Sequence, residues 1–169
     1  MASEGLHEPA AQALHRALTF AGRSGDAEAL VGGGLVQARL RMDTNDYEGA
    51  AAALGTALAM AQELGLGCHR IDLLVLRGQL SLRRNDIVAA ESDARDALAY
   101  ATAPGSNYLY GEADALHLLA TSILTSQPVA PSVRHSEALA HLTDELDLRE
   151  RMSDPATPEV RWLLRRLRS

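Results

Sequence analysis

The first regularity of this chain is a helical spacing of its apolar residues. Between residues 47 and 64, small and aliphatic side chains recur every three or four positions, which places them on one face of a helix. That face comprises Ala50, Leu54, Ala57, Leu58 and Ala61. Forty residues later the same face comprises Ala90, Ala94, Ala97, Leu98 and Ala101. We predict an amphipathic helix at each place, the first ending in a left-handed cap at Gly65.

Another predicted helix precedes the first of these and runs from residue 27 to residue 42. It stops at the sequence DTND, where Asn and Asp favour turns and helix N-caps. Asn45-Asp46 recurs as Asn85-Asp86, again 40 residues later. Two independent features with one period indicate an internal repeat of helix pairs, whose first and second helices we call helix A and helix B.

The repeat predicts a single domain that covers residues 1–169. Its parts are an unpaired B-type helix (9–23), repeat 1 (27–65), repeat 2 (70–103), repeat 3 (110–152, with a Pro-containing insertion at 127–132) and a C-terminal capping helix (158–168). Because the chain begins with a B-type helix, we expect an excerpt of a longer protein. A cap and a contact with another subunit are the alternatives, since the ends of helical repeats need covering.

The helix pairs share further features with a known family. Helix A carries a small residue (Ala38, Gly78, Ala120), the turn ends in Asp46-Tyr47, and alanines follow at Ala50 and Ala57. This pattern resembles tetratricopeptide (TPR) repeats, although its period of 40 exceeds the usual value of about 34. It is similar to the lengthened repeats in sensor arms of bacterial signalling ATPases and transcriptional regulators, as is the C-terminal stretch LDLRERMSDPATPEVRWLLRRL.

The resemblance implies an all-α fold, a right-handed superhelical stack of antiparallel helix pairs that forms a TPR-like α-solenoid. It also implies a regulatory role in a bacterial protein. Two positions depart from the family pattern: Ile87 replaces the usual aromatic residue, and Glu145 stands at a small-residue position.

Composition supports the helical prediction. Alanine and leucine supply 58 of the 169 residues, and aromatic residues make up 4%. A net charge of −6 argues against a general nucleic-acid binder or a binder of anionic membranes, although the chain from Arg149 onward is locally basic. The single cysteine excludes an internal disulfide framework. No signal peptide or membrane-spanning run is apparent, so we expect a cytoplasmic protein.

The absence of lysine limits the possible chemistry. All 16 cationic residues are arginine, whereas a Walker phosphate loop and a Schiff-base enzyme each need a lysine. There is no GxSxG or HExxH motif and no paired-cysteine metal spacing. We therefore expect neither an enzyme nor a bound cofactor or metal.

Two groups of polar residues invite a site hypothesis. Glu137, His141 and Glu145 are spaced to line up on one helix, either as a metal or acid/base cluster or, as we favour, as a solvated polar stripe. Cys68 and His69 are predicted to lie in the loop between repeats, and a free thiol is the favoured interpretation there.

Three consecutive glycines, Gly32, Gly33 and Gly34, lie in the first turns of helix A. Without a lysine or a preceding strand, they do not form a phosphate loop. Within a helix they cost about 2–3 kcal/mol relative to alanine. We therefore predict close backbone contact with the N-terminal helix and a groove opened by Gly32 beside Leu35.

The concave surface lined by the A helices is the predicted binding face. Superposition by the repeat gives the candidates Leu35, Arg39, Met42, Val75, Gln79, Leu82, His117, Thr121, Leu124, Trp162 and Arg166. Such a face suits a peptide with an apolar side and acidic flanks. The alternative is that some of these side chains fill the space between repeats.

The basic C-terminal helix also has two interpretations. It is the outer face of a capping helix, with Val160, Leu163, Leu164 and Leu167 packed inward, or it contacts an acidic partner or nucleic acid. Trp162 is either core or an interface anchor.

Two functions remain. The first is a non-catalytic scaffold for protein–protein interaction, binding a peptide or partner protein, with homo-oligomerisation through an open end of the stack also compatible. The second is a small-ligand sensor arm that regulates an attached ATPase or DNA-binding domain. A groove-like concave face favours the scaffold, and an enclosed cavity around His117 favours the sensor.

Overall fold

A computed structural model describes residues 4–126 and 133–168, and the regular secondary structure of this part of the chain is all α-helix. The helices are α1 (Glu4–Ser24), α2 (Ala27–Asp43), α3 (Tyr47–Glu63), α4 (Gly67–Arg83), α5 (Ile87–Ala101), α6 (Leu109–Thr125), α7 (Val133–Met152) and α8 (Thr157–Arg168). The predicted all-α class is confirmed. The predicted insertion at 127–132 lies outside the described residues.

The turns between helices repeat one local structure. Asn45 and Asn85 both have φ 61°, and Gly25, Gly65 and Gly105 also have positive φ, so the helix ends follow the 40-residue period. After Asn45, the amide of Asp46 donates to the carbonyl of Arg41 at 2.8 Å, which is the bond of a Schellman cap. The short polar turns thus end one helix and fix where the next begins.

The same aspartates cap the next helix. Asp46 accepts a hydrogen bond from the amide of Gly49 at 2.9 Å, and Asp86 accepts one from Ala89 at 3.1 Å. Asp26 does the same for Ala29 before α2. Because the residue that closes one helix also opens the next, the turns are only a few residues long.

Two helix starts differ from the predictions. α1 begins at Glu4, not at residue 9, and includes Pro9. α4 begins at Gly67, so Cys68 and His69 lie in its first turn and the predicted loop is wrong. The reason is that Gly65 already makes the left-handed turn, as Gly25 does before α2, and the helix resumes two residues later.

Each helix contacts the next along the chain, and the A-type helices α2, α4 and α6 also contact one another in that order. The predicted inward faces of α3 and α5 are buried, with Ala50, Leu54, Ala90 and Ala94 all 0% exposed. Alanines at these positions let neighbouring helices approach closely. Among the described residues the buried core runs from α2 to α8 and contains no fully buried aromatic side chain, although Tyr47 and Tyr108 pack against it.

The three consecutive glycines lie within α2 and have different neighbours. A Cβ on Gly33 would collide with the side chain of Leu18 in α1, whereas one on Gly34 would lie 2.8 Å from the Cβ of Ala57 in α3. At Gly32 the nearest atom would be Nε2 of His69, 3.8 Å away. The close contact with α1 thus involves a leucine side chain and not its backbone, and a second close contact faces α3.

Candidate functional site

The predicted concave residues separate into core and surface groups. Met42 and Val75 are only 2% and 5% exposed and belong to the core, so they are not free to contact a partner. Leu35, Leu82 and Leu124 are half-buried and pack against the core. Position in the repeat could not separate these cases, because each helix A has neighbours on several sides.

The polar candidates remain accessible. Arg39 is exposed, and Gln79, His117 and Thr121 are half-buried. Trp162 and Arg166 are exposed on α8, where the Arg166 guanidinium lies 5.3 Å from the centre of the Trp162 ring. α8 contacts α7 but none of α2, α4 and α6, so these two residues lie on a helix that does not adjoin the A-type helices.

Charged groups of α2, α4 and α6 share one surface, which we call the A-face and define by Arg39, His69, Asp72, Asp114 and His117. Asp72 lies within electrostatic range of Asp114, His69 and Arg39, and His117 within range of Asp114. Two of the five, Asp72 and Asp114, were not among the sequence candidates, and His69 was considered only beside Cys68 in a predicted loop. Their spacing in the sequence carries no signal, because Asp72 comes from α4 and Asp114 from α6.

A hydrogen bond ties α4 to the start of α6 on the A-face. The hydroxyl of Tyr108 donates to Oδ1 of Asp72 at 2.8 Å. Burial raises the pKa of Asp72; the Tyr108 bond opposes this shift, and the negative charge of Asp114 adds to it. Burial and the Asp72 carboxylate likewise raise the pKa of Tyr108. The hydrogen bond thus keeps a neutral phenol at Tyr108 beside the carboxyl group of Asp72.

Beneath the A-face lies a buried ionic network centred on Arg149. Its guanidinium donates to Oε1 of Glu145, Oδ2 of Asp154 and Oδ1 of Asp114, each at 2.7 Å. Burial disfavours the charge of Arg149, but the bonds to Glu145 and Asp114 outweigh it and raise its pKa. The network joins α6, α7 and the turn before α8.

Glu145 is the innermost member of this network. Its side chain is 0% exposed, so its predicted place in a solvated stripe with Glu137 and His141 is wrong. Glu145 follows Leu142 by three residues and precedes Arg149 by four, and all three belong to the inward face of α7. Only Glu137 and His141 remain near the surface, with 3.8 Å between the Oε1 and Nε2 atoms.

His117 connects the network to the A-face. Its Nδ1 lies 3.0 Å from Oε2 of Glu145, and about a third of its side chain is exposed. Burial favours the neutral imidazole, but the hydrogen bond and charge of Glu145 outweigh it and raise the pKa of His117. When it is protonated, the ring adds a second cation beside Arg149 for Glu145 and Asp114.

This shift predicts a pH dependence of stability. Because the pKa of His117 is higher in the folded protein than its ordinary value of 6.5, protonation of His117 contributes its full stabilisation below pH 6.5. This contribution to the free energy of unfolding is lost as the pH rises through the folded-state pKa of His117. Urea unfolding between pH 5.5 and 8.5 will therefore show the wild type losing more stability with rising pH than His117→Asn. Parallel profiles for the two proteins would contradict the prediction.

Three grooves on the described surface lie away from His117. One of about 390 Å³ separates α1 from α2, and another of about 420 Å³ lies over α1, α2 and α3. A third, of about 490 Å³, runs between α5, α6 and α7 and is lined by Glu112, Asp144 and Asp147. His117 lines none of these three grooves.

In the described part of the chain, no three His, Cys, Asp or Glu side chains are grouped to hold a metal ion. Nor does any described helix combine the length and apolarity that crossing a bilayer requires. Cys68 is a free, exposed thiol.

The fold defines an all-α protein whose consecutive helices are arranged in a repeat-like manner. The chain matches no protein-family model, no curated protein and no solved structure. Its function must therefore be argued from the site, because a fold class alone does not specify one.

Proposed function

We propose that this protein is a non-catalytic interaction scaffold that binds a peptide or partner protein through the A-face. In this proposal the helix pairs are TPR-like, stack into a right-handed superhelix, and form part of a larger cytoplasmic regulatory protein of bacterial type. Turns that recur every 40 residues and the successive contacts of α2, α4 and α6 support the architecture.

The observation that carries the proposed function is the convergence of charged groups from three A helices. Arg39 of α2 and Asp114 of α6 each lie within electrostatic range of Asp72 of α4. Beside them, Leu35, Leu82 and Leu124 remain half-buried. A bound segment with an apolar side, an acid opposite Arg39 and a cation opposite Asp114 fits this distribution.

The buried network suits a binding surface because it holds the A-face rigid. Asp114 is tied to Arg149, and His117 is tied to Glu145, so two groups of the surface are positioned before a partner arrives. A preorganised surface loses less conformational entropy on binding than a flexible one. Recognition therefore depends on the fixed placement of charges on α6.

A pull-down with paired variants tests the proposal. Arg39→Glu reverses a charge of the A-face, while Arg16→Glu makes the same exchange on the exposed side of α1. We expect proteins captured by the wild type to be retained by the α1 variant and lost by the A-face variant. Identical captured sets for all three, identified by mass spectrometry, would remove the A-face proposal.

A further inference from the structure

α1 exposes residues of a kind that the later repeats bury. In α3, Ala50 and Ala57 are 0% and 3% exposed. Forty residues earlier, Ala10 and Ala17 are exposed, and Phe20 is 74% exposed. Among the described helices only α2 contacts α1. One apolar face of α1 is therefore uncovered.

α2, which packs beside α1, is likewise more exposed than its counterpart α4. Leu76 and Leu80 of α4 are each 2% exposed, whereas Val36, forty residues before Leu76, is 46% exposed and Leu40 is half-buried. The exposed side chains of the two helices adjoin, because α1 and α2 pack together as α3 and α4 do. We call this area the α1–α2 surface and define it by Ala10, Ala17, Phe20, Val36 and Leu40.

The molecule itself shows what covers the equivalent surface on α3 and α4. There the covering element is α2, which contacts both helices and packs Gly34 against Ala57. The residues that α2 directs inward are Val31, Leu35, Ala38 and Met42, and α4 repeats them forty residues later as Ile71, Val75, Gly78 and Leu82. By analogy with α2, the helix that fits the α1–α2 surface has three apolar residues and one small residue at the same spacing.

The ends of the surface add a charge requirement. Phe20 corresponds to Tyr100, over whose ring Arg70 of the adjoining helix A stacks at 4.0 Å. At the other end, Asp43 of α2 stands at the repeat position that Arg83 occupies in α4. Arg83 contacts the preceding helix A, where it donates to the carbonyl of Met42 at 2.9 Å and lies 3.8 Å from Asp43. A helix that binds this surface is therefore complementary to it when it carries one cation in its first turn, over the ring of Phe20, and another in its last turn, beside Asp43.

We propose that the α1–α2 surface binds an amphipathic helix of a partner protein, with a small residue at its centre and an arginine or lysine near each end. A second copy of this chain does not supply such a helix, because α2 and α4 already direct these residues into their own core. The surface is separate from the A-face, and the two proposals fail independently.

A peptide with the sequence of α4 is a suitable probe. Residues 67–83 contain Arg70, Gly78 and Arg83 at the required places, and Cys68→Ser prevents disulfide formation. A fluorescent version titrated with the full chain is expected to show saturable binding by anisotropy. The matched peptide with Gly78→Leu is expected to fail, because a Cβ at this position lies 3.3 Å from the carbonyl oxygen of Ala90 in the template.

Two protein variants locate the binding. Ala17→Arg places a charged side chain on the surface and is expected to weaken peptide binding at least about tenfold, because the charge would be buried by the peptide. Gln12→Arg on the outer side of α1 is expected to leave it unchanged. Both positions are exposed, so both variants are expected to keep the wild-type circular dichroism spectrum.

The proposal is overturned if the α4 peptide does not bind, or if it binds Ala17→Arg as well as the wild type. Analytical ultracentrifugation provides an independent check. A wild-type dimer that Ala17→Arg converts to a monomer would show that a second copy occupies the surface, and the assignment to a different partner would then be wrong.

Discussion

Arg149→Met is expected to lower the free energy of unfolding by about 3–5 kcal/mol, because it leaves a buried acid without its cation. Glu145 is 0% exposed and would retain only His117, while Asp154, which is 8% exposed, would lose its guanidinium contact. The methionine keeps much of the volume of arginine, so the effect reports charge and hydrogen bonds more than a cavity. Urea denaturation at pH 7 measures it.

Arg151→Met is the matched control on the same helix. Its ion pair with Asp147 is 3.9 Å long and exposed, and such pairs contribute about 0–1 kcal/mol. If the Arg149 variant is too unstable to purify, Glu145→Leu with Arg149→Met offers a second measurement. The double variant is expected to be more stable than Arg149→Met alone, because it removes the innermost buried carboxylate together with its cation and leaves Asp154 as the only buried acid of the network without its guanidinium contact. Equal losses for Arg149→Met and Arg151→Met would contradict the prediction.

The second large expected effect concerns two glycines of α2, Gly32 and Gly34, at which substitution by alanine is expected to change the stability in opposite directions. Gly34→Ala is expected to lower stability by about 1–2 kcal/mol, since its Cβ would lie 2.8 Å from that of Ala57 and neither backbone can easily move. Gly32→Ala is expected to raise stability by about 1 kcal/mol, because alanine favours the helix and its Cβ has ordinary space. Thermal and urea unfolding of the two variants check both signs.

Gly33→Ala serves as the intermediate case. Its added methyl group meets the side chain of Leu18, which can change rotamer, so a smaller loss than at Gly34 is expected. The same direction of change at Gly32 and Gly34 would show that helix propensity alone governs the three glycines. The close approach of α2 to α3 at Gly34 would then make no contribution to the free energy of unfolding.

The turn chemistry explains why much of the fold could be predicted. A left-handed Asn or Gly followed by a capping Asp acts within a few residues, so Asn45-Asp46 and Asn85-Asp86 specify helix ends wherever they occur. The apolar spacing of α3 and α5 is equally local, and both inward faces were predicted correctly. The start of α4 was missed because the turn at Gly65 is shorter than the predicted loop.

The site depended on contacts that no local pattern contains. His117 meets Glu145 across 28 positions of the chain, and Arg149 meets Asp114 across 35. Met42 and Val75 occupied the same repeat register as surface residues, yet both are core because α4 and α6 cover them. Asp72 and Asp114 could not be selected from the sequence, since exposed acids are common on any helix.

The sequence by itself determined the all-helical class, the 40-residue period and most helix boundaries, because periodicity and capping act between residues close along the chain. Only the tertiary structure decided which polar groups are buried, which glycines allow close packing and which apolar faces stay exposed. Those properties depend on which helix covers which face. The carboxylate of Glu145 shows the difference: its place on α7 follows from the sequence, whereas its burial requires His117 on α6 and Arg149 to bond to it together.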